Sequence, residues 1–125
     1  MATRSIIAVK TNDGYRSIYC HNDGYPSHHL PILKKGYDTV EKIQALMDLG
    51  DLSVLGWEIG EKHDFDSRSS KGSSICTAYG RDRGETGIDA CDHPTIDDLR
   101  YHAFENASYL YVFEDRKWRL EKSRS

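Results

Sequence analysis

A chain of 125 residues, 38% hydrophobic and 30% charged, is long enough to bury one core without staples, and its eight tyrosines and two tryptophans argue against disorder. Seventeen Lys and Arg stand against 20 Asp and Glu, a net charge of −3 with the signs interspersed, which excludes a broad electrostatic footprint for nucleic acid. No apolar run approaches the about 18 residues of a membrane span, no signal-peptide core follows Met1, and three cysteines without a CxxC make no disulfide framework, so a reducing cytoplasm is the expected compartment.

Arg4 to Lys10 is rich in β-branched residues and is predicted as a strand. Thr11-Asn12-Asp13-Gly14 is turn chemistry, since Asn, Asp and Gly tolerate the positive φ of tight hairpins. Tyr15, Ser17, Tyr19 and His21 then share one face of a second strand, with Arg16, Ile18 and Cys20 on the other. Pro26 and Pro31 leave room for a helical turn around His28-His29-Leu30. A helix is predicted from Asp38, which with Glu41 has capping-box spacing, through Val40, Ile43, Leu46, Met47 and Leu49 to a closing Gly50. Leu52 to Trp57 reads as a second short helical turn, and the Ser-rich residues 64–74 as a mobile loop.

Ile75 to Tyr79 is predicted as a third strand that ends in a loop from Gly80 to Glu85. Thr95 caps a second helix carrying Ile96, Leu99 and Ala103, with His102 at its boundary. Tyr109 to Phe113 is apolar on both faces, as a central strand would be, and Trp118-Arg119-Leu120 makes the last strand. Arg116, Lys117, Arg119, Lys122 and Arg124 meet only Glu121, as expected of an exposed strand face running into a frayed tail over 121–125. The order β-β-α-β-α-β-β predicts one α+β domain over 1–125, a mostly antiparallel sheet of about five strands packed with two helices.

Chemistry concentrates in Tyr19-Cys20-His21-Asn22-Asp23-Gly24-Tyr25-Pro26-Ser27-His28-His29, a strand end and the loop after it, where packing rarely demands such residues. His21, Asp23, His28 and His29, with Cys91 and His93, are donor types suited to zinc. No HExxH or CxxC orders them, and adjacent His28 and His29 do not easily reach one ion, so no metal is expected. Arg81 and Arg83, flanked by Gly80 and Gly84, carry the paired donors that match phosphate, while Asp82 and Glu85 are there to neutralise them. His21 and Asp23 suit proton exchange near neutral pH, but Cys20 points to the opposite strand face and no nucleophile accompanies them. Tyr15, Tyr19, Tyr25, Tyr79, Tyr109 and Tyr111 supply rings for stacking or for completing a thin core.

Thr3-Arg4-Ser5-x-Ile7, Ile18-Tyr19-Cys20-His21-x-Asp23-Gly24-Tyr25-Pro26 and Tyr79-Gly80-Arg81-Asp82-Arg83-Gly84-Glu85 together resemble a family of small proteins encoded by bacteriophages and prophages. The likeness runs from Thr3 to Trp118. It implies phage origin and a location in the host cytoplasm, and carries over no catalytic residue. An accessory or counter-defence role follows by association with that gene class.

The expectation is therefore a non-enzymatic binding protein without cofactor or catalytic residues, in which two loops converge on a nucleotide-like anion. Its ligand-binding residues are His21, Asp23, Tyr25, His28, Tyr79, Arg81, Arg83 and Glu85. A host defence protein, blocked through exposed tyrosines, is the other partner class; neither membrane nor nucleic acid is expected. An exposed sheet edge would let two copies pair as a homodimer. The alternative is a small metal-assisted phosphodiesterase or nuclease using His21, Asp23 and His28.

Overall fold

The computed structural model describes residues 3–22, 24–60 and 75–122. The β-branched N-terminal run forms β1 (Ser5–Thr11), which Asn12 and Asp13 turn into antiparallel β2 (Gly14–Cys20). Only glycine fits at the start of β2. Gly14 has a φ of +146°, and a Cβ there would stand 2.1 Å from the His93 carbonyl oxygen. β6 (Tyr109–Glu114) lies parallel to β1, and β7 (Lys117–Lys122) returns antiparallel to it through Asp115 and Arg116.

Two short strands share the other edge of β2. β5 (Cys91–His93) pairs antiparallel with Tyr15, Arg16 and Ser17, and β3 (Leu52–Val54) pairs parallel at Cys20. Between them the Tyr19 amide donates to the Asp51 carboxylate at 2.9 Å, a side chain standing where a strand partner would be. β4 (Thr77–Ala78) closes this side against β3. The seven strands among the described residues run in the order β4-β3-β2-β1-β6-β7, with β5 beside β2.

Among the described residues there are four helices: α1 (Pro26–Gly36), α2 (Val40–Leu49), α3 (Tyr79–Arg83) and α4 (Ile96–Asn106). α1 and α2 bury Ile32, Leu33, Ile43, Leu46 and Met47 against Ile7, Ile18, Cys20, Tyr111 and Phe113. α4 covers the opposite face, laying Leu99 and Ala103 on Ile6, Ala8, Leu110 and Val112. Thr39 and Thr95 cap α2 and α4, their hydroxyls accepting the Lys42 and Asp98 amides. Buried aromatic side chains are tied to the backbone: Tyr37 to Gly56 O (2.8 Å), Tyr111 to Gly24 O (2.6 Å) and Trp118 Nε1 to Tyr37 O (3.0 Å).

The α+β class holds, but the sheet is mixed and has, among the described residues, seven strands rather than about five antiparallel ones. β3, β4 and β5 have two or three residues each, too few to display a period-two alternation. Leu52 to Val54 is accordingly a strand where a helical turn was expected. Tyr79 to Arg83, expected as a strand end and loop, is instead a helix closed by Gly84 in the left-handed region, with φ at 76°. The turn expected around His28 is an 11-residue helix. Pro26 opens it without cost, and interior Pro31, a residue that costs about 3 kcal/mol in a helix, is tolerated because it sits on the exposed side over buried Ile32 and Leu33. Thr39, not Asp38, caps α2. Residues 61–74, 123–125 and Asp23 lie outside the described residues, and with them most of the predicted mobile loop and frayed tail.

Candidate functional site

The two predicted loops approach each other through Tyr19 rather than through their arginines. The Tyr19 hydroxyl lies 2.9 Å from His21 Nδ1, and the Tyr19 and Tyr79 phenols are near enough to interact electrostatically. Arg81 turns inward. Its Nη1 donates to Ile59 O (2.8 Å), its Nη2 to Cys76 O (2.7 Å), and Nε and Nη2 grip the Asp82 carboxylate at 2.9 and 3.1 Å. Asp82 also accepts the Ala78 amide at 2.8 Å, so Arg81 braces β4 and α3 instead of facing a ligand. Arg83 pairs with Glu85 and lies 5.3 Å over the Tyr79 ring.

The remaining predicted residues disperse. Tyr25 caps α1 with an exposed ring, edge-on to His28 at 6.0 Å. His28 Nε2 donates to Leu55 O (3.2 Å). His29 is buried, 3.0 Å from Ser5 Oγ and 5.1 Å from the Tyr111 ring, as a core histidine would be. Asp23 lies outside the described residues. Among the described residues, no three His, Cys, Asp or Glu side chains converge as a metal site.

A different site stands on the α4 face. A cleft of about 350 Å³ opens beside the last turns of this 11-residue helix. The sheet contributes Arg4, Ile6, Ser17 and Tyr19; the outer edge contributes Asp51 and Cys91; the last turns of α4 contribute His102, Glu105 and Asn106. Arg4 is the one Lys or Arg among these residues and makes no ion pair among the described residues.

Four of the lining groups have displaced proton affinities. Burial pushes the Tyr19 phenol up, against the Arg4 charge and with help from Tyr79, Cys20 and Asp51. Burial raises the Asp51 carboxyl, opposed by the Tyr19 amide and reinforced by Asp89. The Cys91 thiol is raised by burial and by Asp51 and Asp92, so it stays protonated at neutral pH. Burial, and then His93, lower the His102 imidazole and disfavour its charged form, against the opposing pull of Asp98. Such displaced groups gather preferentially in sites that bind or react.

Behind the cleft a hydrogen-bonded relay crosses three elements, buried at Ser17 and His93 and open to solvent at Asp98. His93 Nε2 is 2.9 Å from Ser17 Oγ, and His93 Nδ1 is 3.0 Å from Asp98 Oδ2 in the first turn of α4. The His102 ring packs against His93 at 4.9 Å. The register Ser17↔Cys91 and Tyr15↔His93 sets Ser17 and His93 diagonally on one sheet face.

Ser17 and Tyr19, expected on one face of the second strand, both line this cleft. Arg4 joins it just ahead of β1, Cys91 through the pairing of β5 with β2, Asp51 through its bond to the Tyr19 amide and His102 from α4, long-range placements for which a local sequence window holds no signal. Comparison with protein-family models, with curated proteins and with solved structures gave no match.

Proposed function

We propose that the protein binds a small, nucleotide-like ligand in the cleft beside α4 and acts by sequestering it. The observation that carries this is the clustering of displaced ionisable groups, Tyr19, Asp51, Cys91 and His102, around one opening that also holds Arg4, a cation with no ion pair among the described residues. A ring of the ligand stacks on Tyr19, its anionic group meets Arg4, and Asp51 and Glu105 accept from its amino or hydroxyl groups. The anion-binding role expected of Arg81 and Arg83 thus passes to Arg4. The resemblance to phage-encoded proteins supports an accessory, counter-defence setting in the host cytoplasm.

Native mass spectrometry of the protein as purified, followed by calorimetric titration with nucleoside monophosphates, tests the binding. Arg4→Ala and Tyr19→Ala are each expected to weaken affinity at least about tenfold, the loss of one charge-assisted contact or one stacked ring. Unchanged affinity in both folded variants refutes the site. A second partner class, a host protein, is favoured by one observation: Tyr101, on the solvent side of α4, is 72% exposed. A Tyr101→Ala variant that loses a partner captured by the wild type, while keeping nucleotide affinity, supports that class.

A further inference from the structure

We propose that Ser17, His93 and Asp98 form a hydrolytic relay, and that the cleft beside α4 turns over small carboxylic esters through an acyl-Ser17 intermediate. The three side chains come from the middle of β2, the end of β5 and the first turn of α4. They stand in the order a nucleophile needs: hydroxyl, imidazole, carboxylate, at 2.9 and 3.0 Å. The carboxylate fixes the tautomer. The Asp98 carboxylate accepts, so Nδ1 is the His93 nitrogen that donates to it, and Nε2 is the one that faces the Ser17 hydroxyl.

Burial gives this relay a direction. Ser17 and His93 are 1% and 5% exposed, so bulk water does not compete for the imidazole. Ser17 is the member of the three that lines the cleft, and is therefore the end a substrate meets. Arg4 is the cation in the same cleft for the charge that develops on a carbonyl oxygen. Cys91, opposite Ser17 in register, does not compete as nucleophile, because its raised thiol remains protonated.

The chemistry balances with water as the co-reactant. Ser17 Oγ bonds to the ester carbonyl carbon as the carbonyl pair moves to oxygen, and the hydroxyl proton passes to His93 Nε2. Collapse breaks the bond to the alkoxy group, which takes that proton and leaves as the alcohol. Water then attacks the acyl-Ser17 carbonyl and gives a proton to Nε2. The second collapse breaks the acyl–Oγ bond, returns the proton to Ser17 and frees the carboxylic acid.

The relay shares its cleft with the binding reading and rests on it for substrate access, but its test needs no cognate ligand. The whole chain is treated with a small fluorophosphonate, which forms an Oγ–P bond and expels fluoride only at an activated serine. The adduct is mapped by peptide mass spectrometry. One adduct at Ser17 is expected, absent in Ser17→Ala and formed at least 100-fold more slowly in His93→Gln. His93→Gln is a buried change that folding does not guarantee, so Asp98→Asn, at a half-exposed position, serves as the second variant. An amide donor there favours the wrong tautomer, and labelling again slows at least 100-fold. A folded wild-type protein that takes no adduct at Ser17, or an Asp98→Asn variant labelled at the wild-type rate, overturns the relay. Either result leaves nucleotide binding measurable, so the two readings fail separately.

Discussion

Removing the Arg81 side chain tests whether this arginine serves the fold or a ligand. In Arg81→Ala the Ile59 and Cys76 carbonyls each lose a donor, and the Asp82 carboxylate, with no exposed surface, loses the guanidinium that grips it. Breaking a buried ion pair from one side costs about 3–5 kcal/mol, a large share of the roughly 5–15 kcal/mol available to a domain of this kind. With a urea m-value of about 2 kcal/mol/M, the unfolding midpoint drops by about 2 M. Trp118, buried against Phe113 and Tyr37, reports the transition by fluorescence. The double variant Arg81→Met/Asp82→Asn is expected to lose less than Arg81→Ala, because the buried charge that Arg81 neutralised is removed with it. A midpoint shift below about 0.5 M at constant m refutes the bracing role and makes Arg81 a ligand-facing cation again.

Two further outcomes bear on the turn and on the cleft. Asp115 and Arg116 hold φ at 56° and 66°, the two positive angles of a type I′ hairpin, so Arg116→Gly is expected to add about 1 kcal/mol and raise Tm by about 4 °C; no gain in calorimetry refutes the strain. Asp51 binds its proton more tightly folded than unfolded, so the wild type is penalised above the raised folded pKa and the penalty fades as pH falls toward the unfolded value. Asp51→Asn, whose carbonyl still accepts the Tyr19 amide, is therefore expected to be more stable than wild type at pH 7 and equal to it below about pH 3.5. A constant difference across that range in thermal melts refutes the assignment.

Much of the fold was legible because its signals are local. The Asn12-Asp13 turn, the Thr95 cap and the doubly apolar Tyr109–Phe113 run each act within a few residues. Parallel pairing of β1 with β6 joins segments about a hundred residues apart, and no window of local sequence carries it. The residues of the expected site are dispersed for a related reason. Loops were the expected home of the chemistry-bearing residues, yet His29 packs in the core, His28 ties α1 to Leu55, and Arg81 satisfies carbonyls. The residues that do converge are individually ordinary: Arg4 just before the first strand, Asp51 after a helix, Asp98 in an opening turn. A sheet gathers them across its width, and only the pairing register reveals that.

The Asp51 carboxylate that stands in for a strand beside Tyr19 makes the sheet itself a reporter. Most amides of β2 are held by a backbone that no solute displaces, whereas the Tyr19 amide is held by a side chain that also lines the cleft. A solute that draws Asp51 to itself frees one amide in the middle of the fold, and one that presses Asp51 home locks it. The exchange rate of that single proton, followed by nuclear magnetic resonance, would register occupancy of the cleft without any label, whatever the chemistry of the solute that fills it.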